Sequence, residues 1–71
     1  QNSDNQEKSR DLMSAINRLS LSLRQVITMQ LEGFTYSEIA SVLGTSEAAV
    51  TKRAGRARAL LEQLLGSNNN G

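Results

Sequence analysis

Hydrophobic residues recur three and four positions apart along this 71-residue chain, which is the spacing of amphipathic helices. The spacing predicts a first helix from about Asp4 to Arg18 and a second from Ser20 or Ser22, either as its cap, to Glu32. The predicted apolar sets are Leu12, Ala15, Ile16 and Leu19 in the first helix, and Val26, Ile27, Met29 and Leu31 in the second. Proline is absent, and no alternation is long enough for a strand, so the chain is predicted to be all-α.

A third, shorter helix is predicted by signals at both of its ends. Thr35 and Glu38 have the spacing of a capping box, which starts a helix at Tyr36, and Gly33 ends the helix before it. Gly44 is placed to end the third helix in a left-handed conformation.

Ala40, Gly44 and Val50 together have the spacing of a helix-turn-helix. Ala40 offers a small side chain where two helices cross, and Gly44 supplies the turn between them. Val50 then faces back to close a small core with Ile39 and Leu43. The chain is therefore predicted to be a small four-helix domain with a C-terminal helix-turn-helix and no strands.

The fourth helix is predicted from about Ser46, with Ser46 or Thr45 as its cap, to Leu65. Steps of about 100° per residue divide it into two faces. The predicted buried stripe is Val50, Ala54, Ala57, Leu61 and Leu64. The predicted outward residues are Ala48, Lys52, Gly55, Arg56 and Ala59, flanked by Ala49, Thr51, Arg53 and Arg58.

Charge is distributed unevenly, although the net charge is only +1. Four cations, Lys52, Arg53, Arg56 and Arg58, fall within seven residues that hold no acid, whereas Asp4, Glu7 and Asp11 mark the other end. The positive field is therefore local to the fourth helix, which indicates a nucleic-acid partner. A solvated basic face is the alternative, and the mid-helix position of the cations weakens it.

Composition argues against an enzyme. Cysteine, histidine and tryptophan are absent, which excludes zinc fingers, thiol nucleophiles and Ser-His-Asp arrangements, and a chain this short encloses no sizeable substrate cavity. No cofactor, metal or small-molecule substrate is expected. No apolar run approaches a membrane span, and the start does not resemble a signal peptide, so a cytoplasmic protein without membrane contact is expected. Residues 1–18 are predicted to form a polar start and first helix, 19–65 the DNA-binding domain and 66–71 a flexible tail.

The exposed face of the fourth helix has the chemistry of a DNA reader. Glu47, Thr51 and Lys52 are suited to base edges, while Arg53 and Arg56 are suited to phosphates. Arg24, in the first turn of the second helix, opposes the helix dipole, and it is either a phosphate contact or a solvated arginine. The predicted DNA-contacting residues are Arg24, Thr35, Tyr36, Ser46, Glu47, Ala48, Ala49, Thr51, Lys52, Arg53 and Arg56.

From Leu19 to Leu65 the chain resembles region 4 of the bacterial sigma-70 family, and most closely its extracytoplasmic-function group. The residues that carry the resemblance are Leu19–Val26, similar to the family's Leu-Pro-x-x-x-Arg-x-Val, then Glu32–Ala40, Leu43–Ser46, Val50–Arg53 and Arg56–Leu60. The resemblance implies a winged-helix-like fold of the region 4 type that reads the −35 promoter element with its last helix. It also implies docking on the β flap of core RNA polymerase, a possible anti-sigma partner and no active site.

Two alternatives remain open at this point. The stretch between Val26 and Glu32 is about one residue shorter than is common in the family, a spacing also found in LuxR-type output domains of transcriptional regulators. Tyr36 and the Arg56–Arg58 block favour the sigma interpretation over that one. The other alternative is a protein-interaction domain whose exposed face binds an anti-sigma factor, and the basic run argues against it.

Overall fold

The structure is a computed structural model that describes the backbone of residues 2–69 and the side chains of residues 10–66. Within these residues the chain forms four helices and no strand, which confirms the predicted all-α architecture. The helices are α1 (Asn2–Asn17), α2 (Leu21–Leu31), α3 (Tyr36–Leu43) and α4 (Glu47–Asn69).

The predicted end of the fourth helix at Leu65 is wrong, because α4 continues to Asn69. Gly66 lies inside the helix, where glycine costs only about 1 kcal/mol relative to alanine and does not by itself stop the helix. The predicted tail of residues 66–71 therefore begins within α4. Gln1, Asn70 and Gly71 lie outside the described residues.

Side-chain caps begin the two helices of the helix-turn-helix. The Thr35 hydroxyl accepts from the Glu38 backbone N–H at 3.1 Å, and the Glu38 carboxylate accepts from the Thr35 N–H at 2.8 Å, so the capping box is confirmed. Ser46 caps α4 by accepting from the Ala49 N–H at 3.1 Å. Ser20 occupies the N-cap position of α2, as predicted, but its side chain makes no cap hydrogen bond.

Two left-handed glycines end α2 and α3. Gly33 has φ +99°, and the following N–H, that of Phe34, donates back to the Met29 carbonyl at 3.1 Å. Gly44 has φ +69°, and the Thr45 N–H donates to the Ala40 carbonyl at 2.9 Å. Each turn thereby satisfies carbonyls that the helix end leaves free.

One of two buried clusters packs the first helix against the second half of the last one. α1, α2 and the second half of α4 form it from Ala15, Ile16, Leu19, Leu23, Ile27, Ala57 and Leu61, with Leu12, Leu64 and Leu65 packed around it. The predicted stripe of α1 is confirmed. Leu31 was expected to be buried with the α2 set, but it is 64% exposed. It lies one turn beyond Ile27 and outside both clusters, and Leu23 provides the buried leucine of α2 instead.

The other cluster is the core of the helix-turn-helix. It contains Val26, Ile39, Ala40, Val50 and Ala54, with Met29, Tyr36 and Leu43 partly buried against it. Ala40, Val50 and Leu43 therefore meet as the spacing predicted. Because α4 supplies Ala57 and Leu61 to the first cluster and Val50 and Ala54 to the second, its buried stripe is confirmed and spans both.

Replacing Gly44 with alanine tests the left-handed turn, with Gly55→Ala as the matched control. A Cβ added at either glycine has no heavy atom within 4 Å, apart from chain neighbours and the helix's own backbone, so backbone conformation alone separates the two sites. Gly44→Ala should lower the free energy of unfolding by about 1–2 kcal/mol. Gly55→Ala, inside α4, should raise it by about 1 kcal/mol. Urea unfolding followed by circular dichroism measures both changes, and an unaltered stability of Gly44→Ala would contradict the assignment.

Replacing Ser46 with alanine tests the cap of α4. Loss of the bond to the Ala49 N–H should lower the free energy of unfolding by about 1 kcal/mol. Ser20→Ala is the control, because Ser20 holds the same position on α2 without a cap bond, and its effect should stay below about 0.5 kcal/mol. The same urea titration compares them. Equal losses at both serines would show that the Ser46 hydroxyl does not stabilise the helix start.

Candidate nucleic-acid interface

The first half of α4 carries an open concavity of about 440 Å³ on its solvent side. Its lining brings together six of the eleven predicted contact residues: Ser46, Ala48, Ala49, Lys52, Arg53 and Arg56. Among these lining residues, the two alanines lie in the first turn of α4, and the three cations lie one and two turns further along the helix. The side chains that line the concavity are therefore short near the start of α4 and long and cationic further along the helix.

The three cations of this concavity are electrostatically unpaired. Within the described residues, the side chains of Lys52, Arg53 and Arg56 have neither a hydrogen bond nor an ion pair. Lys52 and Arg56 are exposed, and Arg53 is half-buried. Three like charges this close repel one another, and an anionic partner would relieve that repulsion.

Glu47 and Thr51 lie on the other flank of α4 and do not line the concavity. Both are exposed, and the Thr51 hydroxyl donates to the Glu47 carbonyl at 3.0 Å. That bond uses the only hydrogen of the hydroxyl, so Thr51 can offer a partner its methyl group or an acceptor oxygen, but no donor. Glu47 also lies in the first turn of α4, where a carboxylate is favoured by the helix dipole.

Thr35 and Tyr36 lie at the start of α3, away from the concavity. The Thr35 hydroxyl is the acceptor of the capping box. The Tyr36 hydroxyl accepts from Arg58 Nη2 at 3.2 Å and from Gln30 Nε2 at 3.4 Å. Sequence reasoning missed this contact of Tyr36 with α2 and α4, because Tyr36 and Arg58 are 22 residues apart and no local pattern links them.

Arg24 is not brought together with the cations of α4. It lines a separate groove of about 280 Å³ between α2 and α3, with Gln25, Thr28, Met29 and Leu43. Its Nη1 donates to the Asn17 carbonyl, in the last residue of α1, at 3.4 Å. A cation is favourable at a helix C-terminus, so this contact accounts for Arg24 without a phosphate.

Gly55 lies on the exposed face of α4 between the two flanks. No side chain or backbone of another element approaches the place where its Cβ would be. Close packing within the described part of the protein therefore does not explain a glycine in mid-helix.

The exposed face of α4 thus has the shape and charge of a major-groove reader. An α-helix fits the major groove of B-form DNA, small side chains let it approach the bases, and cations beside them reach phosphates. Among the described residues no three acidic, histidine or cysteine side chains gather as a metal site would require. None of the described helices is both long enough and apolar enough to cross a bilayer.

Comparison with known proteins also indicates a DNA-binding domain. The family model of sigma-70, region 4, matches residues 9–61. Over 58 residues the chain is 43% identical to the RNA polymerase sigma factor NccH of Alcaligenes xylosoxydans xylosoxydans, a match that covers 80% of this chain and 31% of that protein. The chain thus spans about a third of the length of this relative, and no solved structure gave a significant match. Sequence motifs, fold and family match agree, and the chain belongs to the sigma-70 family as its region 4.

Proposed function

We propose that this chain is the part of a sigma factor that binds the −35 element of a promoter, with α4 in the major groove. The observation that carries this proposal is the concavity on α4, which is lined by small side chains and by three cations without a partner among the described side chains. The domain acts as a transcription initiation factor in the cytoplasm and not as an enzyme. The relative NccH, itself a sigma factor by name, supports this role.

Phosphate contacts are assigned to both flanks of the helix-turn-helix. Arg53 and Arg56 reach the backbone of one strand from α4, and Ser46 adds the positive end of that helix. Thr35 and Tyr36 lie at the start of α3, the helix that crosses the DNA backbone in this motif, and their contribution is the positive end of that helix, because both hydroxyls are bonded within the protein. Gly55 allows a close approach of the DNA.

Base edges are read by the start of α4. Ala48 and Ala49 leave room for the groove floor, Glu47 accepts from a cytosine amino group, and Lys52 donates to guanine. Thr51 presents its methyl group to a thymine methyl, since its hydroxyl hydrogen is bonded to the Glu47 carbonyl.

Core RNA polymerase is the second partner that we propose, through its β flap. The groove formed by α2 and α3, which includes Met29 and Leu43, contains no residue of α4 and so remains accessible while α4 binds DNA. An anti-sigma factor is a further partner that the extracytoplasmic-function group implies. A LuxR-type output domain is not favoured, because the family match and the match to NccH both point to sigma factors.

A salt titration separates DNA binding from a pure protein-interaction role. Affinity for promoter DNA, measured by fluorescence anisotropy with the chain alone and with its parent protein on core polymerase, should fall steeply as salt rises. Arg56→Gln should weaken binding to every sequence alike and reduce the slope of log Kd against log salt by about 1. Lys52→Gln should instead change which sequence is preferred, by about 1–3 kcal/mol at one base pair. Binding that is absent, or insensitive to salt, would overturn the DNA-reading role.

The methyl contact of Thr51 has its own test. Thr51→Val keeps the methyl group and should retain most of the sequence preference, whereas Thr51→Ser removes it and should lose roughly 1 kcal/mol at one thymine. Replacing each thymine of the bound site by deoxyuridine, one at a time, identifies the contacted base. At that base Thr51→Ser should no longer distinguish thymine from uracil. A larger loss with Thr51→Val than with Thr51→Ser would show that the hydroxyl, not the methyl, is read.

A further inference from the structure

A polar link beside the helix-turn-helix core connects three helices through one tyrosine hydroxyl. Tyr36, in the first turn of α3, accepts from Arg58 of α4 at 3.2 Å and from Gln30 of α2 at 3.4 Å. The ring of Tyr36 also packs against the core cluster that contains Val50 and Ala54. The link therefore joins the buried core to the exposed side of α4.

Arg58 differs from the other cations of α4 in having a protein partner. Lys52, Arg53 and Arg56 face the concavity without one, whereas the Arg58 guanidinium donates to Tyr36. Arg58 lies seven residues, or about two turns, after Thr51 and on the same flank, the one that faces α3. An arginine held in this way is less available to a phosphate than Arg56 is.

The apolar packing of α4 sets which face is buried, but small side chains restrain the exact rotation of the helix less than bulky ones would. Ala40, Ala54 and Ala57 are buried where α4 meets its neighbours, and such small side chains allow close approach but interlock little. A hydrogen bond is directional, so it adds a restraint on rotation to the one that the packing provides. The backbone of Arg58 lies eight residues, or about 12 Å, beyond Val50 along α4. Its side chain reaches α3 at Tyr36, one turn before Ala40.

We infer that Arg58 is a positioning residue: through Tyr36 it fixes the rotation of α4, and thereby the direction in which Glu47, Thr51 and Lys52 present their side chains. This inference rests on the proposed reading of DNA by α4. It assigns Arg58 a role in sequence discrimination and none in phosphate binding, although Arg58 belongs to the same basic run as Arg53 and Arg56.

The test compares Arg58→Gln with the matched control Arg56→Gln on a preferred and on an unrelated DNA duplex. Arg58→Gln should lower affinity for the preferred duplex by about threefold to tenfold, the value of one hydrogen bond, and change affinity for the unrelated duplex by less than twofold. Arg56→Gln should lower both affinities by the same factor. If Arg58→Gln also lowers both by the same factor, Arg58 is a phosphate contact and the inference fails.

Tyr36→Phe completes the test, because it removes one oxygen atom and keeps the ring in the core. Combined with Arg58→Gln it should weaken specific binding no more than Tyr36→Phe alone, since the Arg58 bond is already lost with the Tyr36 hydroxyl. Combined with Arg56→Gln its effect should multiply. A multiplied effect with Arg58→Gln would overturn the inference. Failure of the proposed function is distinct, because the unaltered chain, alone and on core polymerase, would then show no salt-dependent DNA binding at all.

Discussion

Val50, Ala54 and Ala57 are completely buried along one side of α4, and the other three helices pack against this stripe and Leu61 below it. This stripe contributes residues to both buried clusters, Val50 and Ala54 to one and Ala57 and Leu61 to the other. In so small a domain the buried apolar area is limited, so burial of one continuous seam fixes which residues of α4 face solvent. The cations and small residues of α4 face solvent because the buried stripe on the opposite side of the helix faces the core.

Small side chains have opposite uses on the two sides of α4. Ala54 and Ala57 let neighbouring helices approach closely. On the outer side, Ala48, Ala49 and Gly55 leave room for the proposed approach of α4 to the floor of a DNA groove. Small side chains on both sides of a helix allow close approach on each, and they interlock less than bulky side chains do. The hydrogen bonds of the Tyr36 hydroxyl add a directional restraint to this packing.

Much of the fold follows from local rules. The capping box at Thr35, the left-handed Gly44 and the stripe of α4 are determined by residues within a few positions of one another, so the sequence predicts them correctly. One difference comes from tertiary context, because Leu31 has the spacing of a core residue but lies beyond the end of its cluster. The others are local: Ser20 occupies its cap position without making the bond, and α4 continues through Gly66 to Asn69.

The amino-acid sequence by itself determined the four-helix architecture, the helix-turn-helix and the face of α4 that carries charge, because helical periodicity and capping are short-range properties. It also determined the family, through motifs that the family match confirms. Only the tertiary structure decided what each arginine does. Arg24 reaches the end of α1, Arg58 reaches Tyr36, and Arg56 has no partner in the part of the chain whose side chains are described, although the three are chemically identical. Such contacts depend on how helices cross in space, and helix crossing is set by the buried seam as a whole.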